Sequence, residues 1–509
     1  MPDQPDVPPE PAAAPSQTPP PEAPPAEADS NRRRFFRLFA GDVVSSVGSI
    51  IGVAQSLQAE SATAARELLA FGDPTPLPSE QAVVRAAEID ARTAGYRAPY
   101  RWDVDACRIV DQRRLPDVIT ELALIGAADT VNAINDGSVI GSAVQAQVAA
   151  VTVALVAFAA RTSRPFARRA TIRGAASALR LTRPGSAAMG AALDRLLARL
   201  DLYDHEAEGN EIAAALRSEA EAIVFEATYD HGAVVEHGLA ALPGEPDSPL
   251  HVLVAGSTGA MGGGQAGTAL SIVMAAHHAG RPVHALVAES RPSFAGSRIA
   301  AWELSQAGVP YAVVTDAAAP GCIAEGEVAA VLVAADRVAA NGDVIAPIGT
   351  YALALAAREA GVPLLVCAPT TAIDLATASG EEATIEEGRP SPVLHAGTTR
   401  IAPEGSQARN PVQDLTPASL VSVLVTEEGA LRAPFGPGIA DAVTSASARR
   451  ATSPGFAALV RLAAEAETTR AANEAAANAA AANAAAATAG ATGTGAEIAG
   501  AASDPAAPG

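Results

Sequence analysis

Between residues 250 and 370, five short apolar runs, His251–Ala255, Val283–Ala288, Tyr311–Val314, Val331–Ala334 and Leu364–Cys367, alternate with helical windows and glycine turns. Runs this short and this rich in β-branched residues read as strands buried on both faces, and strands that alternate with helices pair in parallel. The rhythm predicts an α/β fold with a doubly wound, Rossmann-like parallel sheet. Such sheets hold their ligands beyond the carboxyl ends of the strands. The informative residues are therefore those just past each run: Gly256 to Gly264 after the first, Glu289 to Pro292 after the second and Asp336 after the fourth.

The rest of the chain divides by composition. Residues 1–30 are rich in Pro, Ala and Glu and cannot bury enough apolar surface to offset ordering, so disorder is expected there. Residues 31–106 read as a helical extension, with apolar faces such as Ala64, Ala65, Leu68 and Leu69 from Ser61 to about Arg101. Residues 107–240 form a mostly helical N-terminal domain, and residues 250–435 the sheet domain. Amphipathic helices follow over 436–470, then an Ala-, Asn- and Gly-rich tail, 471–509, that has nothing to pack and is also expected to be disordered. Asn31 to Arg37 has the look of a twin-arginine export signal, but Asp42 interrupts the apolar stretch behind it. A surface or partner-binding amphipathic helix is the preferred reading, and a cytoplasmic location is expected.

Composition removes several classes of function. The chain of 509 residues contains no lysine, which excludes lysine Schiff-base chemistry and a Walker-type phosphate loop. A net charge of −21 disfavours binding to nucleic acid or to anionic membranes. Cys107, Cys322 and Cys367 lie far apart with no CxxC pair, which fits a reducing compartment and argues against a zinc site or a disulfide framework. His231 and His237 have no metal-ligand spacing and read as polar surface or helix-cap residues. No apolar run approaches a membrane span, and no cofactor is expected.

Two features point to chemistry. After the first strand comes Gly256-Ser257-Thr258-Gly259-Ala260-Met261-Gly262-Gly263-Gly264. Such a turn either brings backbone N–H groups to an anion or lets helix and strand approach closely. Its G-x-x-G-x-x-G order is not the dinucleotide fingerprint. The second feature is Val331 to Tyr351, in which Asp336, Arg337, Asn341-Gly342-Asp343 and Ile348-Gly349-Thr350-Tyr351 follow a buried strand.

That second stretch resembles the signature of the family that includes methylthioribose-1-phosphate isomerases, ribose-1,5-bisphosphate isomerases and the alpha, beta and delta regulatory subunits of a translation-initiation exchange factor. Further strings resemble the family in the right order: Asp111-Gln112-Arg113-Arg114-Leu115-Pro116, Thr182-Arg183-Pro184, Glu289-Ser290-Arg291-Pro292, Gly296-Ser297-Arg298 to Trp302-Glu303-Leu304, and Ala368 to Asp374. The resemblance covers roughly residues 107–435. It implies aldose–ketose isomerisation of a phosphorylated pentose, of the methionine-salvage type, and a homodimer. The alternative is a non-catalytic sugar-phosphate or nucleotide sensor or scaffold, like the regulatory subunits.

The resemblance marks Asp336 and Ser257 as candidate catalytic residues. Arg183, Gly141, Gly256, Gly259, Arg298, Gly349 and Thr350 are its candidate substrate-binding residues, with Arg183 and Arg298 open to the alternative of pairing with acids. The chain also departs from the pattern. The family's cysteine falls on Gly256, the arginine of its RGAP turn on Ile140, its glutamine on Ala295, and its Asn-Lys pair on Ala346-Pro347.

Overall fold

The computed structural model describes residues 89–90, 98–396 and 399–451. The readings made for the terminal segments, including the arginine cluster at 31–37, most of the helical extension and the chain beyond Ala451, lie outside the described residues.

The first half is mostly helical. An antiparallel sheet of β1 (Tyr100–Trp102), β2 (Cys107–Val110) and β3 (Glu121–Leu124) packs on the helices α1 (Ala127–Asn135), α2 (Ser142–Ala159), α3 (Pro165–Thr182), α4 (Ala187–Asp201) and α5 (Gly209–Ala241). Helix α2 is the axis of this half, with every residue from Val144 to Ala157 buried. Each buried valine or leucine there contributes about 1.5–3 kcal/mol by leaving water. The polar residues it buries are satisfied: Gln145 donates to the Val139 carbonyl, and Thr152 hydrogen-bonds Thr130. Among the described residues, α2 is long and apolar enough to cross a membrane by length and composition, which corrects the reading that no run approaches a span. Its burial inside the protein is that of a core helix.

Two further expectations change, and one helix goes unread. The helical pattern up to Arg101 ends instead in strand, because Tyr100 is buried and pairs across β2 while its hydroxyl donates to Gln147. Helix α3 is the one not read from sequence, and two of its four arginines, Arg168 and Arg169, are buried with their donors on backbone carbonyls. Helix α5 runs from Gly209 through His231 and Gly232 to Ala241, so His231 is not a helix cap. A helical glycine costs about 1 kcal/mol, less than burying Val234 and Val235 returns.

The second half follows the predicted rhythm. In order come β4 (Leu250–Val254), α6 (Ala269–His278), β5 (Val283–Ala288), α7 (Ala301–Gln306), β6 (Tyr311–Val314), α8 (Ala319–Ala324) and β7 (Ala330–Ala334). A hairpin of β8 (Arg337–Ala339) and β9 (Val344–Pro347) leads to α9 (Thr350–Ala360) and β10 (Leu364–Cys367). Strands β11 (Ile373–Asp374), β12 (Gln413–Thr416), β13 (Val423–Thr426) and β14 (Gly429–Leu431) precede α10 (Phe435–Ala451).

The seven-stranded sheet has the order β14-β13-β10-β7-β4-β5-β6, parallel except for the β13–β14 edge pair. The chain runs outward from β4 to β6 and then returns to β7, so the order reverses between β4 and β7. That gap is the topological switch point, where open α/β sheets form their crevice. A smaller four-stranded sheet, β11-β8-β9-β12, stands beside it.

Candidate functional site

A cavity of about 720 Å³ opens at the switch point. Its floor is the ends of β4, β7 and β10, and its roof is the start of α2, the Arg183 turn after α3 and the segment around Glu386. It brings together Asp336, Ser257, Arg183, Gly141, Gly256 and Arg298 of the residues singled out from sequence. Gly259, Gly349 and Thr350 are not on its wall.

Asp336 is buried two residues past β7, and three donors converge on its carboxylate. Arg183 Nη2 donates to Oδ2 at 2.9 Å, Gln413 Nε2 to the same oxygen, and Ser142 Oγ to Oδ1. Arg183 spends its other donors on Glu386 Oε2 and Gln145 Oε1, each at 2.7 Å. Burial alone would lower the Arg183 guanidinium, but the carboxylates of Asp336 and Glu386 outweigh it and hold it above its ordinary range. Arg183 thus stands on the cavity wall paired with acids, which is the alternative the sequence left open for it. Gln145 carried no signal in sequence, and only the fold brings it, Glu386 and Gln413 to Arg183 and Asp336. Arg337 turns to Asp374 and to the Pro184 carbonyl, which ties β8 to the Arg183 turn.

The glycine turn answers to packing. A Cβ on Gly262 would lie 1.9 Å from the Ser257 carbonyl oxygen, one on Gly264 2.2 Å from Gln147, and one on Gly259 2.5 Å from Glu303. Gln112 and Gln147 donate to the carbonyls of Met261 and Gly263, so the turn joins the two halves. The Met261 N–H, a donor the anion reading would offer a ligand, goes to Glu303. Burial pushes the Glu303 carboxyl up to about 7, against the backbone donors of Met261 and Ala260.

A carboxyl raised on folding adds stability below its ordinary range and loses it as pH rises to the folded value. Thermal melts from pH 5 to 8 should therefore show Tm falling with pH in the native chain and a flatter profile in Glu303→Gln. An equally steep fall in the variant would remove Glu303 as the cause.

The start of α9 is occupied in the same way. Asp414 accepts the Gly349 N–H at 2.7 Å and the Tyr351 N–H, and the Thr350 hydroxyl donates to the Pro347 carbonyl. Burial lifts the Asp414 carboxyl to about 6 despite those donors. The expected ligand groups of Gly349 and Thr350 are thus engaged within the protein.

Gly256 sits in the left-handed region at φ 81°, and its N–H donates to Ser290 Oγ at 2.9 Å. Ser257 is on the cavity wall, but its hydroxyl is buried with no hydrogen-bond partner among the described residues. Arg298 lines the cavity with its donors on the carbonyls of Gln112, Leu115 and Ser293, so it clamps the first half to the second. Arg291 and Arg389 also line it, and neither forms an ion pair among the described residues. The Arg291 guanidinium donates to the Pro392 carbonyl and lies over Phe294, while its backbone N–H donates to Asp316.

His231 corrects its surface reading: it is buried on α5 and forms part of the cavity wall, because α5 continues past it against the sheet. His237 is half-buried and bonds the Thr426 carbonyl. Cys367, at the end of β10, is another cavity residue that sequence order did not reveal. No group of three metal-ligating side chains occurs among the described residues.

The comparisons with known proteins agree with this architecture. The initiation factor 2 subunit family matches residues 138–433. A methylthioribose-1-phosphate isomerase of Chloroflexus aurantiacus is 39% identical over 335 residues, 66% of this chain and 95% of that protein. Among solved structures, the 5-methylthioribose 1-phosphate isomerase of Pyrococcus horikoshii superposes with a TM-score of 0.61 at 27% identity, covering 70% of this chain and 98% of that one. The delta subunit of translation initiation factor eIF-2B from A. fulgidus gives a TM-score of 0.58 at 26% identity, over 69% and 100% of the two chains. With the match spanning more than half its length, and with the same helical half and parallel sheet, this chain belongs to the initiation factor 2 subunit family.

Proposed function

We propose that this chain is an aldose–ketose isomerase of a phosphorylated pentose, of the methylthioribose-1-phosphate type, with its substrate in the switch-point cavity. The observation that carries this reading is Asp336, a buried carboxylate held by Arg183, Gln413 and Ser142 on the cavity wall. Moving hydrogen between C1 and C2 of a sugar needs a fixed polar group at the reacting carbons and an enclosure that limits water. The relatives named as methylthioribose-1-phosphate isomerases support the substrate class.

Phosphate recognition falls to what the cavity leaves free. The N-terminus of α2 has no side-chain cap and meets the cavity at Gly141 to Gln145, where the helix dipole favours an anion. Arg291 and Arg389 add positive charge. Removing one charged hydrogen bond to phosphate costs about 1.5–3 kcal/mol. Arg291→Ala is therefore expected to raise KM about 10- to 100-fold with kcat little changed, measured by initial rates. An unchanged KM would take Arg291 out of the site.

One observation favours a second reading, a family member that binds the sugar phosphate without turning it over. Gly256 brings no side chain to the position of the family's cysteine, and Asp336 is already paired with Arg183. The deciding experiment is an NMR assay of the purified chain with methylthioribose-1-phosphate and with ribose-1,5-bisphosphate. Ketose formation supports the isomerase. Ligand-dependent thermal stabilisation without ketose supports the binding protein and overturns the isomerase. A homodimer is part of the proposal, and sedimentation of only monomer at micromolar concentration would refute it.

A further inference from the structure

The cavity holds one buried base that the preceding account leaves without a role. His231 is 1% exposed, stands on α5 and lines the cavity. Its Nδ1 lies 2.6 Å from the Ala266 carbonyl oxygen, which can only accept, so Nδ1 carries the hydrogen. That bond fixes the tautomer and leaves Nε2 with a free lone pair. Nε2 makes no hydrogen bond among the described residues. The backbone of the glycine turn fits around the ring, and a Cβ on Gly263 would come within 3.3 Å of Nδ1. Burial also lowers the imidazole below its ordinary range, against the opposing pull of Ala266 and Asp230, which keeps it neutral. A buried ring in a fixed tautomer, with its accepting nitrogen unspent on a cavity wall, has the properties of a general base.

We propose that His231 is a catalytic residue of this cavity, with Nε2 taking the proton of a substrate hydroxyl during isomerisation and returning it in the same turnover. The proposal rests on the isomerase reading above. For a furanose 1-phosphate the step balances as follows. The O2–H bond breaks, and its proton forms an N–H bond on Nε2. The electron pair left on O2 becomes the second bond of the C2 carbonyl. Hydrogen moves with its electron pair from C2 to C1, and the C1–O4 ring bond opens with its pair retained on O4. The imidazolium returns the proton to O4. Nothing is gained or lost overall, and no external oxidant or reductant takes part. His231 thereby supplies a proton acceptor from a helix of the first half rather than from the end of β4.

The test uses the full chain, with methylthioribose-1-phosphate followed by NMR. Native protein, His231→Gln and His231→Ala are compared for kcat, KM and Tm. The expected result is a fall in kcat of about 100-fold or more in both variants, KM within about threefold, and a gain of at least about tenfold when free imidazole is added to the alanine variant. A packing role would not respond to imidazole. Native turnover that persists at full kcat in His231→Gln would overturn the role of His231 and leave the isomerase standing. No turnover by the native protein would overturn both. Should neither variant fold, native protein labelled with [15N]histidine decides the matter. One accepting Nε2 resonance is expected to shift on addition of substrate, and no shift among the histidines would overturn the proposal.

Discussion

Asp336→Asn is expected to lower ketose formation by about 10²- to 10⁴-fold, the range seen when a group acting at the reacting atoms is lost. The side chain keeps its size, so the effect isolates charge. One of its two carboxylate oxygens becomes an NH₂, which must face either the Ser142 hydroxyl or the donors of Arg183 and Gln413. Facing the latter, donor meets donor. Breaking a buried ion pair costs about 3–5 kcal/mol where the remaining charge is left alone. Here Arg183 keeps Glu386 at 2.7 Å, so the stability loss should fall at or below the lower end of that range. NMR turnover and thermal melts separate the two effects. Full turnover in a destabilised variant would make Asp336 a structural tie between the halves, with no part in chemistry.

Gly141→Ala is expected to be strongly damaging, costing on the order of 3 kcal/mol or more. Gly141 lies at φ 120°, where side chains are strained, and a Cβ there would sit 2.4 Å from the Gly262 carbonyl oxygen. The three nearest atoms all belong to the Gly262 backbone, so no rotamer change can relieve the contact. The expected signature is a lower urea midpoint, together with loss of turnover out of proportion to the unfolded fraction, because the start of α2 and the glycine turn must separate. A variant with native stability would show that the two halves can slide at this joint. The residue was singled out as a ligand contact, and its larger effect comes from allowing two backbones to touch.

Two anion sites that sequence suggested are filled from within. Glu303 takes a backbone donor of the glycine turn, and Asp414 caps α9 at Gly349 and Tyr351. Helix starts attract negative charge whatever its source, and a carboxylate of the same chain serves as well as a phosphate. This is why glycine patterns in sequence do not by themselves mark a ligand. The start of α2, without a side-chain cap, and the arginines at 291 and 389, without an ion pair among the described residues, could be told apart from these only once partners were visible.

The order of short apolar runs and helical windows from Leu250 onward determined the parallel sheet, because burial on both faces leaves a continuous apolar signature. The family strings between Asp111 and Asp374 determined the architecture and put Asp336 at a strand end. Strand β1 and the continuation of α5 past Gly232 were decided by tertiary contacts, since a buried Tyr100 and buried Val234 and Val235 outweigh local preference. Only the folded chain placed His231 and Cys367 in the cavity, paired Arg183 with Glu386 across 203 positions, and turned Gly349 and Thr350 to internal partners. Strand and helix periodicity is a property of neighbouring residues and can be read locally. A site assembled from the ends of strands and the start of a distant helix depends on where those ends meet, which the packing of the whole chain decides.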